Sequence, residues 1–402
     1  MTVIFVNRFF FPDHSATSQM LSDLAFGLAK QGMKICIVTS RQRYDNPKAQ
    51  LATEEDIEGV KIKRVATPSF GRGSILGRMF DYLGFYVSAT WALMMLADKN
   101  VLVVAKTDPP LMSIPAALVC KVRQAHLINW LQDLFPEVAI ALGVPATGGM
   151  LGKLLKRWRN WSLRQACKNV VIGERMRERL LEEGIPSAKI ALIQNWADGS
   201  IIKPIPPEKN PLREKWGLEG KFVVGYSGNL GRAHDAAAIL STAKILHSNE
   251  EIVFLFIGDG HHLASLRQLS EQLPLRNVLF KPYQPSDSLA FSLSAIDMHF
   301  VSLLSELEGL IVPSKIYGIL AAGRPFIMLG AEDGELGRLA QKTSFGKVFE
   351  GTQADVIAEY ILKQSRQRNA PLQKKVRRYF EVNHDRSVAL NQWRELVMSS
   401  ES

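Results

Sequence analysis

Twenty residues in the second half of the chain, Glu306 to Pro325 (ELEGLIVPSKIYGILAAGRP), hold the side chains and turns best suited to chemistry on an anion. A strand ends near Ser302, a glycine-bearing loop follows, Pro313 opens a helix and Ala321-Ala322-Gly323 closes it. A helix start offers unpaired backbone N–H groups to an oxyanion. Lys315, in the first turn, is disfavoured there by the helix dipole, which argues for a binding role over a structural one. Gly228-Asn229-Leu230-Gly231 and Gly258-Asp259-Gly260 point the same way. Each follows an apolar strand and precedes a helix, and glycine lets the backbone approach a phosphate closely. Alone, each is equally a plain αβ turn. GDGHHL lacks the third glycine of a dinucleotide fingerprint, and no GxxxxGK[ST] occurs. His261 and His262 adjoin without an evident third ligand, so no metal site is expected.

These residues need a scaffold. With 402 residues and 47% hydrophobic content, the chain is too long for one ordinary core, and about 150 residues per domain predicts two or three. Charged residues at 22% and aromatics at 8% exclude disordered, collagenous and coiled-coil classes. A formal charge of +10 favours anionic partners (nucleotides, phospholipid surfaces or nucleic acid) without choosing among them. Cys36, Cys120 and Cys167 have no metal or disulfide spacing and read as buried fillers in a reducing compartment.

Short β-rich runs at Thr2–Val6, Ile35–Thr39, Val60–Val65, Val101–Ala105, Leu127–Trp130 and Asn169–Ile172 alternate with helical patterns such as Ser18–Gln31. That rhythm predicts a doubly wound α/β domain over 1–198. Asp198–Pro211 breaks it with four prolines, and 199–211 reads as a linker. Alternation resumes at Phe222–Tyr226 and gives a second α/β domain over 212–380, followed by a terminal helical segment, 381–402. Ligands of such domains bind at the carboxyl ends of the strands.

Thr2–Val6 has no basic leader, and the longest apolar stretch, Leu83–Ala97, has 15 residues against the roughly 18 to 20 a membrane span needs. A cytoplasmic chain is expected, with a membrane surface among its partners. Gly152–Lys168 (GKLLKRWRNWSLRQACK) carries six Lys or Arg and no acid, interleaved with Trp158 and Trp161. It suits an interfacial helix on an anionic membrane, and equally a basic-faced helix packed on its own domain. No nucleic-acid motif accompanies the charge, and no nucleic-acid partner is expected. Lys374–Arg378 reads as a solvated helix face.

In order and spacing, six segments resemble the family 4 glycosyltransferases, within them the bacterial surface-polysaccharide branch of colanic-acid or O-antigen type. They are FFFPDHSATSQMLSDLAFGLAKQGMKICIVTS, INWLQDLFPE, NWADGSIIKP, YSGNLGRAHD, IGDG and VPSKIYGILAAGRP. The resemblance implies the α/β GT-B fold: two Rossmann-like doubly wound domains facing across a cleft. The first would bind the acceptor and the second a nucleotide-sugar donor, with the last helix crossing back to the first domain. It also implies a retaining transfer from a UDP- or GDP-sugar to a lipid-linked or other saccharide acceptor, without cofactor or metal. Transfer of this kind needs positive charge and N–H donors where the departing diphosphate gathers charge.

Residue by residue, the family's two glutamates separated by seven positions map unevenly. The second, which binds the donor ribose, falls at Gly318, and Glu308 stands in for the first, offset by two. The Arg and Lys that hold the donor diphosphate fall at Asn229 and His234, with Arg232 and Lys315 as substitutes. Ser15-Ala16-Thr17 replaces a Gly-Gly loop, and a His-Asp pair becomes Gln132-Asp133. The implied catalytic candidates are Asp133, Glu308 and Lys315. The implied donor set is Ser15, Ala16, Gly228, Asn229, Arg232, His234, Gly258, Tyr283, Gly309, Leu310, Ile311 and Ser314. Two alternatives remain open at this point: a nucleotide-sugar epimerase on the same fold, or a degenerate, non-catalytic membrane assembly partner.

Overall fold

The computed structural model describes residues 1–400 apart from 71–74, 145–146, 232–236, 273–274, 352 and 368–369, and apart from the side chains at 75, 76, 261, 262, 271, 286 and 370. The chain forms two compact units, Met1–Ile193 with Leu390–Ser402, and Gln194–Ala389.

In the first unit the strands are β1 (Thr2–Val6), β2 (Lys34–Ser40), β3 (Glu54–Ile57), β4 (Val60–Val65), β5 (Val101–Lys106), β6 (His126–Leu131), β7 (Lys168–Val171) and β8 (Ile190–Leu192). They lie in the order β3-β4-β2-β1-β5-β6-β7-β8, parallel except for the hairpin strand β3. Its helices are α1 (Ala16–Lys30), α2 (Ile75–Leu96), α3 (Ser113–Arg123), α4 (Glu137–Ala141), α5 (Gly149–Gln165) and α6 (Glu174–Glu182). A strand covered on both faces must be apolar throughout, and β5 (VLVVAK) is buried at every position. Ile4, Val6, Val103 and Ala105 meet Phe85, Ala89 and Leu93 of α2, Met112 just before α3, and Ala116 of α3. Helices α2, α3 and α5 lie side by side in that order. Elsewhere in this unit Trp393 packs edge-on against Trp130 and Phe5, with ring centroids 4.8 and 6.4 Å away.

The second unit contains α7 (Pro211–Lys215), β9 (Phe222–Ser227), α8 (Ala237–Ile245), β10 (Ile252–Ile257), α9 (His261–Gln272), β11 (Val278–Lys281), α10 (Leu289–Ser294) and β12 (Met298–Ser302). It continues with α11 (Lys315–Ala321), β13 (Phe326–Leu329), α12 (Glu335–Thr343), β14 (Gly346–Phe349), α13 (Ala354–Gln367) and α14 (Ala370–Asn383); the last helix, α15 (Arg386–Ser399), belongs to the first unit from Leu390 onward. The strands form one parallel sheet in the order β11-β10-β9-β12-β13-β14. In each sheet the chain winds outward from one strand, then returns beside it to wind the other way. Those reversals lie between β1 and β5 and between β9 and β12. Such switch points open a crevice at the carboxyl ends of the strands.

Three expectations change. The proline-rich segment is not a bare tether. Ile205 N–H donates to Ser294 Oγ at 3.1 Å, Asn210 Nδ2 to Phe291 O at 2.8 Å, and Arg324 Nη2 to Ile205 O at 2.9 Å. The run Lys374–Arg378 is not merely a solvated face. Val376 is buried, and Arg377 donates to the carbonyls of Gly199, Ile202 and Ala321, fixing the same segment. Cys120 is buried, but Cys167 is exposed.

Candidate functional site

In the second unit the turns after β9 and β10 nest together. Gly228 and Gly258 have φ of 125° and 131°, a region side chains rarely adopt. A Cβ on Gly258 would run into the Gly228 carbonyl, so these two backbones approach as closely as glycine allows. Gly228 N–H donates to Ile257 O at 2.8 Å, and Leu230 N–H to Asp259 O at 2.9 Å. Asn229 is exposed on this turn, and its carbonyl accepts from the Tyr226 hydroxyl at 3.0 Å.

Lys315 reaches that turn from the start of α11. Its Nζ lies 3.7 Å from the centroid of the Tyr226 ring and donates to the Tyr226 hydroxyl. A Cβ on Gly228 would sit 3.7 Å from the same Nζ. Burial pushes the Lys315 ammonium down to about 7. Among the described residues no carboxylate pairs with it, so its charge is left for something else to balance. Tyr283, 56% exposed, borders Tyr226 and Asp259, and partial burial and then the Asp259 charge raise its pKa. Ser314 is exposed at the α11 N-cap. Lys315, Gly228, Asn229, Gly258 and Tyr283 are thus brought together. Arg232 and His234 lie outside the described residues.

Glu308 is placed differently from its expected catalytic role. It is buried, and its Oε2 accepts from Glu335 N–H at 3.1 Å, at the first residue of α12. Its carboxyl group also lies against Gly334, the N-cap residue, where any side chain would collide with it. A carboxylate at a helix start is stabilised by the N–H groups and the dipole. Glu308 therefore caps α12, with Gly309, Leu310 and Ile311 closing a tight loop through the Glu308–Ile311 bridge; Gly309 supplies the φ of 73° and Leu310 is buried. The helix face at Gly318 is closely packed: a Cβ there would meet Leu293 Cδ1 at 3.2 Å, so a larger residue in this register would require that leucine to shift.

In the first unit the carboxyl ends of β1, β5 and β6 gather a buried ionic cluster. Lys106, which ends β5, is 1% exposed; its Nζ donates to Thr17 O at 2.7 Å and lies 4.2 Å from the Trp130 ring centroid. Burial lowers its pKa to about 7, against the opposing pull of Asp108 and Asp133. Burial raises Asp133 to about 6, although a hydrogen bond with Thr107 and the charge of Lys106 pull it down. Asp108 is also raised by burial and accepts from Thr17 Oγ1 at 3.1 Å. Arg8 follows β1 and pairs with Asp81 at 3.6 Å. Asp13 accepts from Ser15 N–H and Ser15 Oγ at 2.8 and 2.5 Å and organises the entry to α1; Ala16 opens that helix, exposed. Lys106, Asp108 and Arg8 were missed from sequence. A lysine closing an otherwise apolar strand was the available signal, because full burial of a lysine needs a partner. Among the described residues no group of three His, Cys, Asp or Glu side chains is placed to hold a metal ion.

Both units match known modules. Residues 16–196 match the Glycosyl transferase 4-like domain and residues 208–381 the Glycosyl transferases group 1 domain. The chain belongs to the family 4 glycosyltransferases. This glycosyltransferase is 29% identical over 253 residues to WbjE of Pseudomonas aeruginosa, named as a glycosyltransferase, and the match covers 62% of each chain. It is 24% identical over 344 residues to WcaI of Escherichia coli, named for colanic acid biosynthesis, across 82% of this chain and 83% of that one. Among solved structures, Anabaena HepE in complex with UDP and glucose superposes with a TM-score of 0.73 at 16% identity, covering 99% of this chain and 100% of that one. A sucrose-phosphate synthase from Thermosynechococcus elongatus gives 0.73 at 15% identity, covering 99% and 98%. These likenesses show the GT-B fold for the glycosyltransferase.

Proposed function

We propose that this glycosyltransferase moves a sugar, with retention of configuration, from a UDP- or GDP-sugar to a saccharide acceptor carried on a polyprenyl diphosphate lipid. The setting is bacterial surface-polysaccharide assembly, with the protein peripheral on the cytoplasmic face of the plasma membrane. The observation that carries the donor half is Lys315: a half-buried ammonium over Tyr226, beside the Gly228 turn, with no carboxylate to balance it among the described residues. A nucleoside diphosphate supplies the matching negative charge, and glycines 228 and 258 let it approach the backbone. HepE binds UDP and glucose, and WcaI is named for colanic acid biosynthesis; both support this reading.

In the reaction the bond from the anomeric carbon to the donor phosphate oxygen breaks, and the acceptor oxygen bonds to the same face. The acceptor proton passes to the departing phosphate oxygen, and the nucleoside diphosphate leaves. Lys315 neutralises charge that grows on the diphosphate, so its contribution is largest in the transition state. Asn229, Tyr283 and Ser314 complete the donor side. Asp133, with Lys106, orients the acceptor hydroxyl in the first unit. Glu308 acts through α12 and the 309–311 loop, as a positioning residue.

A panel of nucleotide-sugars tests the donor: the right one raises the melting temperature, since a ligand of the folded state stabilises it. Product from that donor and a water-soluble, short-chain acceptor analogue should keep the donor's anomeric configuration by NMR. No stabilisation by any UDP- or GDP-sugar, or an inverted product, overturns the reading.

A further inference from the structure

The outer face of the α2–α3–α5 layer is unusual for a water-facing surface. Along α2, Met79, Leu83, Val87, Trp91 and Met95 recur every fourth residue and are 56–68% exposed. That row is about 24 Å long at 1.5 Å per residue. Leu118 and Val122 continue it on α3, and Leu151, Leu154 and Trp158 are exposed on α5. Soluble proteins seldom leave an apolar surface of this extent uncovered. From Gly77 to Leu96 the helix is long and apolar enough to cross a bilayer, but its opposite side is fixed. Phe85, Ala89, Ala92 and Leu93 are buried in the core of the first unit, and the Tyr86 hydroxyl donates to Pro110 O. Such a helix can lie along an interface but cannot leave its domain to span one.

Charge identifies the occupant. The three helices contain a single acid, Asp81, which is buried against Arg8. Arg78, Lys121, Lys153 and Arg157 are exposed on them without an ion-pair partner among the described residues. An apolar strip with unpaired cations and no exposed acid complements an anionic lipid surface. A second copy would bring the same cations face to face, which disfavours a symmetric dimer here. The geometry points to this face, with α2 at its centre, as the surface that docks on an anionic bilayer. The docking deepens the proposed lipid-linked acceptor and rests on that reading only for its biological setting.

The basic stretch singled out in the sequence has a smaller part. Lys156 is paired with Glu137 and Glu183, and Arg159 is buried against Glu137. Trp161 packs into the core, so of that segment's prominent residues Lys153, Arg157 and Trp158 remain for a membrane.

The test is co-sedimentation of the full chain with phosphatidylcholine vesicles, with and without phosphatidylglycerol. Partition onto anionic vesicles should fall about tenfold or more in Leu83→Glu/Trp91→Glu, whose melting temperature and transfer to a water-soluble acceptor should match the parent. A Lys121→Gln/Lys153→Gln/Arg157→Gln variant keeps the apolar row and should lose the salt-sensitive part of binding. Brominated lipid should quench the parent more than Trp91→Phe, which needs no charged substitution to read. Equal partition of Leu83→Glu/Trp91→Glu and parent, or no binding of the parent to anionic vesicles, overturns the proposal. So does a parent dimer that the double variant dissociates, since the face would then belong to a second copy. Transfer to the soluble acceptor is read separately, so failed docking and failed glycosyl transfer give different results.

Discussion

Each unit holds a lysine against an aromatic ring near the carboxyl ends of its strands, and the two differ in their charge partners. Lys106 ends β5 over the Trp130 ring, and Lys315 opens α11 over the Tyr226 ring. Burial brings both to about 7. Lys106 has Asp108 and Asp133 beside it, whereas Lys315 has no carboxylate partner among the described residues. A buried charge already balanced by carboxylates holds structure in place. One left unbalanced beside glycine turns suits a ligand that brings its own negative charge, the role proposed for Lys315.

The largest expected effect follows from that difference. Lys315→Met should lower turnover at saturating donor on the order of a hundredfold, the loss of one charge-stabilising contact in the transition state. Lys106→Met should lower it about tenfold, through the displaced start of α1, and raise the acceptor KM more than the donor KM. Equal losses in both variants, measured by steady-state kinetics, would erase the distinction.

Glu308 sharpens the same contrast. As a helix cap it should be replaceable by glutamine with a stability loss of about 1 kcal/mol and turnover within a few-fold of the parent. Chemical denaturation and kinetics on Glu308→Gln check both. A hundredfold loss of turnover with intact stability would return Glu308 to the chemistry.

Smaller effects should appear in the pH dependence of stability. Each lysine has a folded pKa near 7 against an ordinary 10.5, so between those values the unfolded chain binds protons that the folded chain does not. Stability then rises with pH across that window, and the cost develops as pH falls toward 7. Asp133 acts oppositely: raised from 3.8 to about 6, it makes stability fall as pH climbs between those values. Denaturant midpoints should show Lys106→Met and Lys315→Met each losing part of the rise above pH 7, and Asp133→Asn losing part of the fall below 6. Unchanged slopes in all three would mean that these groups titrate normally.

Much of the fold was legible because parallel strands buried on both faces leave apolar runs such as IVFLFI and VLVVAK, separated by helix-length intervals. The position of Lys315 in the first turn of α11 was legible too, from the proline just before that helix. The cap made by Glu308 was not, because its partner Glu335 lies 27 residues on and only the turn from β13 into α12 brings them together. Nor was the ionic cluster around Lys106, which joins residues from the ends of β1, β5 and β6. The exposure of α2 was also hidden: a helix apolar on all sides reads the same whether one side or every side is buried.

Proton uptake on donor binding tests the central claim most directly. Calorimetry at about pH 8, in buffers of different ionisation enthalpy, should use the nucleotide-sugar that most raises the melting temperature. Its diphosphate diester does not titrate there, so a diphosphate seated on Lys315 should draw roughly one proton onto the lysine. The parent should therefore show a binding enthalpy that varies with buffer, with weaker affinity as pH rises, and Lys315→Met should show neither. Buffer-independent binding by the parent, or the same proton uptake in Lys315→Met, would contradict the assignment of Lys315 to the donor diphosphate.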